Sequence, residues 1–165
     1  MSLSSPTLHM LCGKIAAGKS TLASKLSSGH GIARINEDDW LSALFSDEMQ
    51  SGADYVGCSA KLRTIMGPHV TALLNAGVSV VLDFPANTPE QRGWMRGVLE
   101  RKDASHQLHV LNAPDELCLA RLRQRNAQGD HAFAVTEEQF ERFSRHFTAP
   151  TLDEGFNIVT HEAKV

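Results

Sequence analysis

The chain has 165 residues and a mass of 18.0 kDa, the size of one domain, and it is read as such over 1–165. With 42% apolar and 21% charged residues it is too rich in aliphatics to be disordered. A formal charge of -3, from 16 Lys and Arg against 19 Asp and Glu, gives no general attraction for nucleic acid. No apolar run approaches the roughly 18 residues of a membrane span, and Met1 to Thr7 carries no basic, then apolar, secretory pattern. Cys12, Cys58 and Cys118 are an odd number without a CxxC pair, which fits reduced thiols. The expectation is a cytoplasmic protein with no membrane or nucleic-acid partner, and monomer or dimer is left open.

In chain order, Leu8 to Cys12 reads as a short buried strand and Gly13 to Gly18 as a loop. Lys19 to Ser27 carries Leu22, Ala23 and Leu26 at helical spacing. Ile32 to Ile35 is a second strand, followed by a short helix from Asp39 towards Phe45. Ser59 to Ala76 is helical, with a kink or break expected at Gly67-Pro68 and a glycine exit at Gly77. Val78 to Leu82 is the clearest strand and ends at Asp83. Pro89 opens a helix to about Lys102, Gln107 to Leu111 is a strand, and Pro114 opens a helix to about Asn126. A polar stretch, Ala127 to Val135, leads to Thr136-Glu137-Glu138-Gln139, the spacing of a capping box, and a helix reaching His146. Phe156 to Val159 is the last strand. Alternating strands and helices predict an α/β fold, a three-layer α/β/α sandwich around a five-stranded parallel sheet.

Gly13-Lys14-Ile15-Ala16-Ala17-Gly18-Lys19-Ser20 fits G-x-x-x-x-G-K-[ST] without a mismatch. The glycines let backbone N–H groups turn inward onto phosphate oxygens, and the next helix presents its positive end to the same anion. Lys19 can reach the β- and γ-phosphates, and the Ser20 hydroxyl can ligate Mg²⁺. Gly13, Lys14, Ala16, Ala17, Gly18, Lys19, Ser20 and Thr21 are therefore the expected nucleotide-binding residues. Asp83, at the carboxyl end of a neighbouring strand, is the expected second Mg²⁺ residue; the alternative is a turn or helix-capping Asp before Pro85.

Three further motifs accompany the loop: Ile35-Asn36-Glu37-Asp38-Asp39-Trp40, Leu82-Asp83 followed by Asn87-Thr88-Pro89-Glu90-Gln91-Arg92, and Cys118-Leu119-Ala120-Arg121-Leu122-Arg123-Gln124-Arg125. With them, the chain resembles over nearly its full length the small P-loop kinases of the AAA_33, zeta-toxin, chloramphenicol phosphotransferase and polynucleotide kinase-like group. The resemblance implies a P-loop, nucleoside-kinase-like fold with a short lid at approximately 126–136. It implies Asp38 as the general base for an acceptor hydroxyl, with Asp39 the helix-capping neighbour. It implies that Arg125 closes over the transferred phosphate, with Arg121 in support.

The chemistry is coherent on its own terms. Phosphoryl transfer asks a protein to position reactants, neutralise charge and orient one hydroxyl with a carboxylate. Adjacent Asp38 and Asp39, with Glu37 beside them, resist full ionisation, so one pKa is expected to rise. The alternative is that the pair only caps a helix, and which of the two is the base stays open. Arg121 and Arg125, four apart, share a helix face; an exposed basic face near a helix end is their alternative. Gln128-Gly129-Asp130-His131 is what a mobile lid needs. His106 and His109 point to opposite faces of a strand and do not share a metal there, and hydrogen-bonded or solvated histidine is the expectation for all eight. Trp40, Trp94 and Phe133, Phe140, Phe143 and Phe147 read as packing.

Between Ile35 and Ala60 stand Glu37, Asp38, Asp39, Asp47, Glu48 and Asp54, with no Lys or Arg. Such a lining repels a polynucleotide and attracts a cation or a neutral polyol. The reading is an ATP- and Mg²⁺-dependent kinase acting on a small-molecule hydroxyl acceptor. A cationic aminosugar antibiotic is the candidate, and antibiotic resistance the implied role. Catalytic work is expected of Asp38, Lys19 and Arg125. The alternatives are a polynucleotide 5′-hydroxyl kinase and an ATP-binding or ATP-hydrolysing switch.

Overall fold

A computed structural model describes residues 5–101, 104–129 and 134–163. Five strands form one parallel sheet: β1 (Thr7–Cys12), β2 (Ile32–Asn36), β3 (Ser79–Pro85), β4 (Ser105–Asn112) and β5 (Ile158–Glu162), in the order β2-β3-β1-β4-β5. The helices are α1 (Lys19–Leu26), α2 (Glu37–Phe45), α3 (Gly52–Asn75), α4 (Pro89–Arg101), α5 (Asp115–Gln128) and α6 (Glu137–His146). Leaving β1, the chain moves first to β2 at one edge and later to β4 on the other side. That reversal opens a crevice at the carboxyl ends of the strands, where α/β sheets bind ligands. The expected α/β fold is the one observed.

Strand alternation divides the core. Leu8, Met10, Val80, Leu82, Phe84 and Leu108 pack with α3 and α4, whereas Leu11 and Val81 meet Ala23 of α1 on the other face. A third cluster joins Cys118 and Leu122 of α5 and Phe140 of α6 to Ala17 of the phosphate loop, with Leu111 beside them. The loop is thus anchored by apolar contacts to α6 and to α5, the helix that carries Arg121, Arg123 and Arg125. All three cysteines are free and buried. Among the described residues, no helix is long and apolar enough to cross a membrane.

Several boundaries differ from expectation. The third helix begins at Gly52, not Ser59, because Ser51 caps it by accepting the Asp54 N–H at 3.2 Å. Helix-weakening Gly52 and Gly57 hide that start from a propensity reading. Pro68 lies inside α3 and does not end it. Its side is exposed, while Cys58, Leu62, Met66, Val70 and Leu74 form a buried stripe along the helix that offsets one lost hydrogen bond. The second helix begins at Glu37, so Asp39 is not a cap: the Asn36 side chain accepts the Asp39 N–H at 2.9 Å and holds that place. Asp83 lies within β3 and does not end it. The Thr136–Gln139 capping box is present, whereas Phe143 is 52% exposed and does not pack as expected. The centre of the expected lid, with Asp130, His131 and Phe133, lies outside the described residues.

Candidate active site

The turn from β1 to α1 is shaped by two left-handed residues, Ala16 at φ 62° and Gly18 at φ 107°. Only glycine takes the second without strain, and a non-glycine at the first costs on the order of 1–2 kcal/mol. Gly13 is tightly packed: a Cβ there would stand 3.2 Å from Leu111 Cβ and 3.3 Å from Ala17 Cβ, so a side chain would need those neighbours to give way. Gly18 caps α1 without any side chain, so none occupies the helix's N-terminal N–H groups. Ser20 and Thr21 are exposed on the first turn. Lys14 directs its ammonium to Asp115 Oδ1 at 2.8 Å, beside the Phe147 ring, so its part in the loop is a backbone one.

Lys19 folds back over the loop and donates from Nζ to the Lys14 carbonyl at 2.7 Å and to the Gly13 carbonyl. Neither partner is an anion. Burial pushes its pKa down to about 8, with Asp83 acting in the opposite sense. A charged lysine held this way is stabilised by any phosphate that enters.

Asp38 stands on the first turn of α2 at the end of β2. Desolvation raises its pKa, followed by repulsion from Asp83 and Asp39, while Lys19 and Arg125 oppose the rise. The expected elevation is present, though burial rather than the neighbouring carboxylate is its first cause. Asp83 receives Arg34 Nη2 and Asn36 Nδ2 on one oxygen, Oδ2, both at 2.8 Å. Its other oxygen is not engaged in those contacts.

On α5, Arg121 donates to the Ala16 carbonyl at 3.3 Å, clasping the phosphate loop from above its strained residue. Arg125 is half-buried, and its Nε is buried without a partner among the described residues. Burial lowers its pKa, offset by Asp38. Arg123 points elsewhere, into an exposed pair with Glu137. Lys19, Asp38, Asp83 and Arg125 thus lie within electrostatic reach of one another, while Arg123 is set apart.

Sequence reasoning missed the side chains that hold this region in shape. Glu37 is 2% exposed, and one of its oxygens accepts the Ser59 hydroxyl. Asn87 Oδ1 accepts the Gly13 N–H at 2.8 Å. Arg92, 1% exposed, donates to Glu154 Oε1 at 2.8 Å and to the carbonyls of Ala86 and Thr148. Asn87 and Arg92 stand in one of the quoted motifs, but apart from Ala86 the partners that give them these roles, Gly13, Thr148 and Glu154, lie more than 50 residues away.

Solved structures share the architecture. A sugar kinase from Janibacter sp. HTCC2649 is 18% identical, with TM-score 0.68, 95% of this chain and 85% of that one covered. A chain of the Pnkp1/Rnl/Hen1 RNA repair complex is 20% identical, with TM-score 0.64 over 86% of this chain and 43% of that one. The Mycobacterium tuberculosis APS kinase CysC in complex with AMPPNP and APS is 19% identical, with TM-score 0.59 over 94% and 88%. At these identities the likeness is one of fold. No curated protein matches the chain. Residues 8–150 match the AAA domain family, AAA_33, and the chain belongs to that family.

Proposed function

We propose that this protein transfers the γ-phosphate of ATP to a hydroxyl of a small molecule, with a cationic aminosugar as the candidate acceptor. The observation that supports this reading is the mutual electrostatic influence of Lys19, Asp38, Asp83 and Arg125 around one phosphate-binding turn. Lys19 and Arg125 are two cations within electrostatic reach of the Asp38 carboxylate, whose pKa is raised.

Each group has a role that follows from its setting. The backbone of Gly13 to Ser20 grips the β- and γ-phosphates, and Lys19 neutralises them. Asp38 accepts the acceptor's proton on its carboxylate as the hydroxyl oxygen forms its bond to the γ-phosphorus. The bond from that phosphorus to the β,γ-bridging oxygen breaks, and ADP leaves with the electron pair. Arg125 offers its unpartnered Nε–H to the transferring group, and Arg121 steadies the loop. In-line transfer depends mostly on positioning and charge neutralisation, which these residues supply.

The donor set suits Mg²⁺: an exposed Ser20 hydroxyl and an Asp83 carboxylate with one oxygen outside its Arg34 and Asn36 contacts. Mg²⁺ takes hard oxygens and keeps several waters, so one or two protein ligands beside the phosphates suffice. Bound there, it would supply further charge neutralisation on the phosphates.

The test is Asp38→Asn, assayed for phosphorylated product and for nucleotide binding. Loss of at least about 100-fold in transfer with unchanged ATP affinity is expected of a general base. Unchanged ATP turnover would favour the switch reading instead.

A further inference from the structure

We propose that Arg34 and Asn36 are positioning residues that set which divalent cation accompanies the nucleotide. By holding one oxygen of Asp83 they make it a one-oxygen ligand, suited to Mg²⁺ and poorly suited to Ca²⁺. The inference rests on the Mg²⁺-dependent phosphotransfer reading above and names the residues that tune its cation.

The sheet itself places Asp83. Met10 pairs with Leu82 but Leu11 pairs with Pro85, so the β1–β3 register shifts and Asp83 and Phe84 are extra residues against β1, close to the start of the phosphate loop. Irregularities of this kind re-aim side chains. Phe84 joins the core with α3 and α4, whereas Asp83 lies opposite its register partner Asn36 on β2 and meets Arg34. Arg34 Nη2 donates to Asp83 Oδ2 at 2.8 Å, and its Nη1 donates to Ser24 Oγ of α1, also at 2.8 Å. Ser20 and Ser24 are four apart on α1 and share a face. One guanidinium therefore ties Asp83 to the helix face that carries Ser20 one turn nearer the loop.

The form of this tie differs from that of a purely structural ion pair. Arginine and a carboxylate frequently close as a fork, two N–H groups on two oxygens. Arg34 instead divides its fork between Ser24 and Asp83, and Asn36 Nδ2 adds a second donor to the same Oδ2 at 2.8 Å. The Asn36 amide is itself held, because its Oδ1 accepts the Asp39 N–H at 2.9 Å as the cap of α2. Two donors thus fix Oδ2, and Oδ1 takes part in neither contact. Ca²⁺ gathers more oxygens than Mg²⁺ and readily takes both from one carboxylate, whereas Mg²⁺ keeps a strict octahedron. A carboxylate with one oxygen already held serves Mg²⁺ and denies Ca²⁺ its second contact. Outer donors that orient a ligand in this way tune the metal it holds.

The experiment measures the Kd of Mg-ATP and of Ca-ATP by calorimetry and reads their ratio, in which the charge lost from a variant acts on both cations alike. Wild type is expected to bind Mg-ATP the more tightly. Arg34→Met combined with Asn36→Ser removes both donors while the serine keeps a cap on α2, and it is expected to shift the ratio towards Ca-ATP by about 10-fold. Arg34→Met alone is expected to move the ratio part of the way, and it carries the test should the double variant lose its cooperative melt. On an Asp83→Asn background the same changes are expected to leave the ratio where it was, because the amide has a single oxygen to offer. No preference in wild type, an unchanged ratio in the folded variants, or an equal shift on the Asp83→Asn background overturns this inference and leaves phosphotransfer standing. ATP binding that is the same with and without either cation removes the cation role of Asp83 and the inference with it. Absence of ATP binding removes the parent reading as well.

Discussion

The side-chain carbonyl of Asn87 accepts the backbone N–H of Gly13 at 2.8 Å, tying the segment after β3 to the first residue of the phosphate loop. The tie is itself braced. Gln91 accepts the Asn87 N–H at 2.8 Å, and the Asn87 carbonyl accepts the Thr148 N–H at 2.8 Å. Arg92 secures the same two segments from beneath through Ala86, Thr148 and Glu154. Asn87→Ala leaves the buried Gly13 N–H unmet, a loss of about 1–3 kcal/mol in stability. Its melting temperature is expected to fall and its nucleotide affinity to drop with it, both read on one preparation.

The phosphate loop was legible because its glycine, lysine and serine spacing is contiguous and its mechanism requires a strand before it and a helix after it. Asp38 and Arg125 were legible as candidate positions just past a strand and near a helix end, and Asp83 as a carboxylate towards the end of β3, although the strand runs on past it to Pro85. Glu37 was not, because a third acid in Glu37-Asp38-Asp39 reads as a solvated helix start. It is a buried group in the fold, where the Ser59 hydroxyl of α3 donates to it. The early start of α3 escaped for a local reason: its cap, Ser51, sits among turn-forming residues. The histidines escaped because their meaning depends on register. In the parallel pairing Leu11 lies opposite His109 and Leu111 opposite His161, which sets His9, His109 and His161 diagonally on one face of the sheet.

Lys19 gives nucleotide binding a specific pH dependence. Its pKa without ligand is about 8, and the charged form is the one that meets phosphate. Bound phosphate raises that pKa, so affinity is full below pH 8 and falls as pH rises through and above it, by up to tenfold per unit. Titrations at pH 7, 8 and 9 are expected to show the decline, and Lys19→Arg to flatten it.

Asp38 and Asp39 are neighbours with different settings. Asp38 feels Lys19 and Arg125, whereas the Asp39 backbone N–H is taken by the Asn36 cap. Asp39→Asn is expected to keep transfer within about threefold of wild type, against a loss of at least about 100-fold for Asp38→Asn. Single-turnover rates on the same acceptor distinguish them. Equal losses would move the base role away from Asp38 alone.

His109 makes stability acid-sensitive. It is 3% exposed and shares hydrogen bonds with His9 at 3.0 Å and His161 at 2.9 Å, using opposite ring nitrogens, so the three rings do not share one metal ion. Burial first, then His9 and His161, lowers its pKa to about 4. The unfolded chain, with histidine near 6.5, therefore binds more protons between pH 6.5 and 4, and stability falls as pH falls through that window. The loss is on the order of 2 kcal/mol. Urea midpoints at pH 7, 6 and 5 are expected to fall in that order, and His109→Gln to weaken the trend.

Calorimetric titration of the protein with ATP in the presence of magnesium tests the central claim most directly. A saturable binding heat, lost in Lys19→Ala while that variant keeps its cooperative melt, is the expected result. No heat from any purine nucleoside triphosphate, or the same heat from Lys19→Ala, would contradict the assignment of Gly13 to Ser20 as the phosphate-gripping turn.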